Sequence, residues 1–242
     1  MEKEVHRLLS NIYVYIIFRV SYIDKMNQDR YKYPSTPHLP LSKGRQWDDT
    51  ALDGYANFIG HEVVITEKMD GENASLYHDY YHARSLDSRH HPSRDWIKSF
   101  WGRVRFDIPA GWRFCGENLY AAHSVKYDSL PSYFMLFSVW GHNNYSLSWD
   151  EVEFWADLLG IDTVPVLYRG PFDKTIVEKI AREQDSEKSE GFVIRNTESF
   201  HFDDFSKNMG KYVRVNHVQT ATHWMHAEII PNQLKVNQHE PV

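Results

Sequence analysis

Apolar positions along this chain fall mostly in short runs of strand length, with two segments at helical spacing. Val63 to Thr66 reads as a buried strand and Ala74 to Tyr77 as the strand that follows a tight turn at Asp70-Gly71. Phe114-Cys115-Gly116 and the almost wholly apolar Tyr133 to Trp140 read as further strands, and Gly191 to Arg195 and Lys211 to Val215 as the last clear ones. Ser148-Trp149-Asp150-Glu151 is a capping box, in which serine and glutamate side chains each satisfy a backbone N–H at a helix start. It opens a helix through Leu159 that Gly160 closes, with Val152, Trp155, Leu158 and Leu159 on one face. A second helix is predicted from about Asp173 to Gln184, with Ile176, Val177 and Ile180 inward. Many strands with few helices between them predict an α+β fold.

The flanks read differently. Residues 31–47 hold Pro34, Pro37 and Pro40, which bias the chain to extended conformations, so this segment is an arm and not a core helix. Ile12 to Ile23 is apolar but interrupted by Arg19 and Ser21, too short and too polar for a membrane span of about 20 residues. Glu2 and Glu4 stand where a signal peptide carries positive charge. Residues 1–30 are therefore assigned as an N-terminal appendage, 31–225 as the body and 226–242 as a C-terminal tail.

Composition narrows the class. At 242 residues, 42% of them hydrophobic, the chain is long enough for a large core in one domain. Its single cysteine, Cys115, excludes an internal disulfide framework and suits a reducing compartment, here the cytoplasm. The net charge of −6 argues against holding nucleic acid by bulk positive charge. The charge is uneven, however: seven basic residues between Arg84 and Arg113 face three aspartates, giving +4 there and −10 elsewhere. That stretch reads either as a basic surface for phosphates or as a solvated, loop-rich face. His82, His90 and His91 lack a metal-ligand spacing, and His123, His142 and His217 are read as structural or surface residues.

The candidate chemistry centres on Thr66-Glu67-Lys68-Met69-Asp70-Gly71-Glu72-Asn73. A strand carries Lys68 to its end before a glycine turn. A lysine is a nucleophile only when deprotonated, so a depressed pKa is expected for it, and Asp70 is close enough in sequence to help hold the amine or a metal-bound water. Lys-x-Asp-Gly by itself arises by chance in roughly one chain of this length in twenty, and alone it reads as a surface hairpin.

The residues downstream change that. Lys68-Met-Asp70-Gly71 resembles the first motif of the covalent nucleotidyltransferase superfamily of ATP-dependent ligases and capping enzymes, and Arg84-Ser85 its arginine motif. Phe114-Cys-Gly116-Glu117 is similar to the third motif, and Phe134-Met-Leu-Phe137 to the aromatic motif that follows. Glu190-Gly191-Phe-Val-Ile-Arg195 is similar to the fourth motif and Lys211-Tyr-Val-Arg214 to the fifth. Six elements in the right order, with the Lys32-Tyr-Pro-Ser-Thr-Pro-His38 arm, Asn73 and the tail Asn216-His-Val-Gln-Thr220 with His223-Trp224, most resemble the RNA ligases of the nick-sealing phage type and their bacterial relatives.

That resemblance implies a nucleotidyltransferase fold, of ATP-grasp-like adenylation type, with antiparallel sheets flanked by helices. It implies ATP and Mg2+ as cofactors and RNA 5′-phosphate and 3′-OH ends as partners, with no membrane. Lys68 would hold AMP covalently. Lys211 would contact the α-phosphate, and Glu190 would bind metal and tune Lys68. Glu67, Asp70, Gly71, Arg84, Glu117 and Phe137 would bind the nucleotide, Phe137 by stacking on adenine. Glu190, Glu117 and Asp70 would hold the metal, and Asn73, Arg84 and Arg214 the RNA.

Two departures from the family pattern stand out. Ser138 follows Phe137 where relatives often carry aspartate. The fifth motif's basic pair sits at i and i+3, Lys211 and Arg214, which a regular strand places on opposite faces. With 28 residues after Arg214, the expectation is a bare catalytic domain without an OB-fold, working inefficiently alone or with a protein partner. A GTP-using capping-type or DNA ligase core and a non-catalytic RNA-binding relative remain the alternatives.

Overall fold

The computed structural model describes residues 30–185, 188–215 and 229–235. The Ile12–Ile23 run, His217 and the Asn216–Thr220 and His223-Trp224 segment lie outside the described residues, as does most of the C-terminal tail.

Among the described residues the strands form two sheets, antiparallel throughout. One contains β1 (Glu62–Lys68), β7 (Val166–Pro171), β8 (Gly191–Asn196) and β10 (Met209–Val213), in the order β10-β8-β1-β7. The other contains β2 (Glu72–Tyr77), β3 (Tyr81–Ala83), β4 (Arg113–Asn118), β5 (Phe134–Trp140), β6 (Tyr145–Ser146) and β9 (Phe200–His201), in the order β3-β2-β4-β5-β6-β9. The helices are α1 (Asp95–Val104), α2 (Trp149–Leu159), α3 (Lys174–Glu183) and the one-turn α4 (Phe205–Asn208). The α+β reading holds.

The capping box of α2 is formed as the sequence predicts, with Ser148 Oγ accepting from the Glu151 N–H and Glu151 reaching back to the Ser148 N–H, and the helix ends at Gly160 with φ 62°. In α3, Val177 is buried and Ile180 packs beside it against Phe58, Val63, Ile65, Phe192 and Ile194. Burial of each such side chain contributes roughly 1.5–3 kcal/mol. The larger core lies against the second sheet, where Leu76, Phe114, Phe134 and Leu136 meet Ile97 and Phe100 of α1 and Val152 and Trp155 of α2.

The Asp70-Gly71 turn carries the chain from one sheet to the other, since β1 and β2 belong to different sheets. Three expectations need correction. The last strand spans Met209–Val213, two residues earlier than the apolar pattern indicated, so Arg214 lies past its end. The basic stretch is not loop-rich, since it contains α1, whose Ile97 and Phe100 are buried. Two of its seven cations, Arg94 and Arg113, are buried and contribute nothing to a basic surface. Strand β7 escaped the pattern because it is an edge strand ending in Arg169-Gly170-Pro171, with Val166 and Leu167 exposed.

The proline-rich arm runs extended along β10. Lys211 N–H donates to Pro37 O (2.8 Å), Leu39 N–H to Lys211 O (2.7 Å) and Gly44 N–H to Val213 O (3.0 Å). Among the described residues no helix is long and apolar enough to cross a membrane.

Candidate active site

Strand register decides which side chains meet. In the β1–β8 ladder Lys68 lies opposite Gly191, which puts Glu190 beside it, and Lys68 Nζ donates to Glu190 Oε2 at 2.5 Å. Val213 of β10 pairs with the same Gly191, bringing Lys211 to the same end of the sheet. From the second sheet, Asn73 of β2 pairs with Glu117 of β4. Two glycines permit this closeness. A Cβ on Gly71 would stand 2.5 Å from Asn118 O, and one on Gly191 would stand 2.0 Å from Tyr212 O at a φ of 156°. A cavity of about 670 Å³ results, with walls from both sheets and the arm, in the usual range for a small-molecule site.

The cavity is rich in opposed charge. Burial pulls the Lys68 amine down, but Glu190, Glu117 and Asp70 outweigh it and hold the amine above its ordinary range. The depressed pKa expected for Lys68 is therefore not found, because these three acids outweigh its burial. Burial pushes the Glu117 carboxyl up to about 8 against the pull of Lys68, with Glu190, Asp70 and Glu72 adding to the rise. Burial also raises Glu67, against a hydrogen bond from Ser189. Lys211 is lowered by burial and by repulsion from Lys68 and Arg84, with Asp49 and Glu190 opposing.

Of the residues singled out from sequence, Glu67, Lys68, Gly71, Asn73, Arg84, Glu117, Phe137, Glu190 and Lys211 all line the cavity. Arg84 reaches from the exposed end of the β2–β3 hairpin, its Nη2 donating to Ser35 Oγ of the arm (2.7 Å). Phe137 meets Tyr33 edge-on at 5.1 Å. The buried Oδ1 of Asn73 has no hydrogen-bond partner among the described residues. Two residues fall elsewhere. Asp70 is not in the lining: its Oδ2 accepts from Ser124 Oγ and from the Val125 N–H, both at 2.7 Å, which fixes the loop after β4. Arg214 is also outside it, with Nε donating to Ser189 O (3.1 Å) and its N–H to Glu190 O (3.1 Å), so it buttresses the backbone that carries Glu190.

Sequence reasoning missed two pairs. Glu72 lines the cavity and binds the buried Arg94 through both guanidinium Nε (2.7 Å) and Nη2. His38 Nε2 stands 3.1 Å from Asp49 Oδ2, both in the cavity wall, with burial and Lys211 lowering the imidazole to about 4. Neither pair has a spacing that a sequence pattern would reveal, since each joins segments that only the fold brings together, Glu72 of β2 with Arg94 before α1 and His38 of the arm with Asp49.

The donor set suits a magnesium ion shared with a nucleotide. Mg2+ is usually held by one or two carboxylates together with substrate phosphates, and Glu117 and Glu190 present two carboxylates to the cavity. Among the described residues no three His, Cys, Asp or Glu side chains form a cage on their own.

Comparisons with known proteins bear on the fold and the family. The chain is similar in fold to an archaeal ATP-dependent RNA ligase, at 17% identity over 76% of this chain and 48% of that one, with TM-score 0.54. It is likewise similar to a putative ATP-dependent DNA ligase from Aquifex aeolicus, at 19% identity over 76% and 50%, with TM-score 0.52. A Naegleria gruberi RNA ligase solved with ATP and Mn matches at 16% identity over 65% and 51%, with TM-score 0.45. The chain thus spans about half the length of the solved structures it matches. No curated protein sequence matches it. The model of the RNA ligase family matches residues 61–213, more than half of the chain and every strand described above, and on that match this protein belongs to the RNA ligase family.

Proposed function

We propose that the protein is an ATP-dependent RNA ligase that works through a lysyl-AMP on Lys68. The observation that supports this best is the meeting of Lys68 Nζ and Glu190 Oε2 at 2.5 Å in the wall of a cavity that Lys211, Glu117 and Arg84 also line. Glu190 Oε2 is within reach to accept the Nζ proton, after which the amine lone pair attacks the α-phosphorus of ATP. An N–P bond forms, the bond to the bridging oxygen breaks and pyrophosphate leaves. Splitting the overall displacement this way replaces one difficult step with easier ones. Lys211 places positive charge on the α-phosphate, and its burial strengthens that interaction. Glu117 and Glu190 would hold Mg2+, which would supply further neutralisation of phosphate charge.

In the same reading Glu67 and Gly71 border the nucleotide, and Phe137 stacks on its base. Asp70 acts by fixing the loop at Ser124 and Val125. AMP passes from Lys68 to an RNA 5′-phosphate received by Arg84 and Asn73, and a 3′-OH then displaces it. Arg214 serves RNA outside the cavity. A cavity of about 670 Å³ accommodates about one nucleotide, so the grip on a longer RNA comes from surfaces beyond it, including any partner protein.

The fold likeness to the Aquifex protein favours DNA ends as the second reading. Parallel joining assays on nicked RNA and nicked DNA duplexes separate the two. Sealing of RNA with ATP supports the proposal, and sealing of DNA alone replaces it.

A further inference from the structure

The cavity rim carries one side chain that the nucleotide chemistry does not use. Trp47 is 94% exposed, against 66% and 65% for Phe106 and Ile59, the next most exposed large apolar side chains described. Single exposed apolar residues are common and need no explanation. Trp47 differs in where its backbone places it. Gln46, Asp48 and Asp49 line the cavity while the indole between them does not, so the ring stands outside the mouth. The turn that bears it is fixed: Asp49 N–H donates to Gln46 O (3.3 Å), and Asp49 Oδ2 accepts the Gln46 N–H (2.9 Å). Asp49 faces His38 (3.1 Å), and the arm is tied on one side by Gly44 N–H to Val213 O (3.0 Å) and on the other by Leu52 N–H to His38 O (2.8 Å). Lys43 and Arg45, exposed on the same segment, have no ion-pair partner among the described residues.

Single-stranded nucleic-acid sites use exposed flat rings that stack on bases beside cations that meet phosphates, and Trp47 is such a ring on a fixed turn, with Lys43 and Arg45 preceding it and Asp48 and Asp49 following. We infer that Trp47 is a stacking platform for an unpaired base of the RNA end, just outside the cavity, with Lys43 and Arg45 on the adjoining phosphates. This rests on the RNA ligase reading above and adds to it the subsite that receives the strand.

The test is fluorescence anisotropy with a 5′-phosphorylated single-stranded RNA, intact or carrying one abasic nucleotide at each of its terminal positions in turn. Wild type is expected to lose roughly 5- to 150-fold in affinity at one abasic position. Trp47→Ala is expected to bind intact RNA more weakly by a similar factor and to be indifferent to the abasic change, while Trp47→Phe keeps most of the affinity. Wild-type affinity in Trp47→Ala overturns the subsite, and so does a defect that appears in lysyl-AMP formation, which would assign the ring to ATP. Lysyl-AMP formation by a wild type that binds no RNA overturns the subsite and RNA specificity together. Absence of lysyl-AMP overturns the catalytic reading alone.

Discussion

At the scale of single residues the account turns on how charge is shared around Lys68. Glu190, Glu117 and Asp70 hold its amine above the ordinary range despite burial, so the proposed attack depends on Glu190 taking the proton. Glu190→Gln removes the carboxylate base 2.5 Å from Lys68 Nζ and is expected to slow lysyl-AMP formation by about 10²- to 10⁴-fold in a single-turnover assay. Glu117 gives a second prediction with a defined sign. Its carboxyl is raised from 4.5 to about 8, so between those values the folded state binds a proton that the unfolded state has released. Stability therefore falls as pH rises through that window. Melting temperatures between pH 5 and 8 should decline less in Glu117→Gln than in wild type. Added Mg2+ should stabilise wild type more at pH 8 than at pH 6, because metal and proton compete for the same carboxylate. Equal pH slopes in the two proteins would remove Glu117 from this role.

At the scale of elements, the site depends on strands approaching more closely than side chains allow. Gly191 sits where β1, β8 and β10 converge, and a methyl there meets Tyr212 O at 2.0 Å. Gly191→Ala should cost at least about 2 kcal/mol, read as a fall in melting temperature of roughly 4–8 °C, and should displace Glu190 from Lys68. Ser148→Ala, by removing the cap of α2, should cost only about 1 kcal/mol.

The helices with end signals and the strands with apolar runs were legible in the sequence. Ser148, Gly160, Val63–Thr66 and Phe134–Trp140 each carry a local pattern that the fold only has to respect. Helix α1 was hidden by its charges, although Trp96, Ile97, Phe100, Trp101 and Val104 recur at helical spacing, and its Arg94 cap turns inward to Glu72. No local pattern tells a turn that closes a hairpin from one that changes sheets, so the Asp70-Gly71 turn is legible as a turn but its change of sheet is not. The order of Lys68, Glu117, Glu190 and Lys211 was readable by resemblance, whereas the turning of Asp70 to Ser124 and of Arg214 to Ser189 depends on neighbours distant in sequence.

At the scale of the whole molecule, two antiparallel sheets and a proline-rich arm enclose a cavity for about one nucleotide, and the arm is fastened to the strand that carries Lys211. A ligand that binds only the folded protein stabilises it by about 2.7 kcal/mol at a hundredfold excess over its Kd. ATP at that excess should therefore raise the melting temperature by roughly 5–10 °C, and by less in Lys211→Ala. The central claim is the covalent step. Incubation with α-labelled ATP and Mg2+, followed by denaturing electrophoresis, is predicted to leave label on wild type and none on Lys68→Ala. Label retained by Lys68→Ala, or none on wild type, would contradict it.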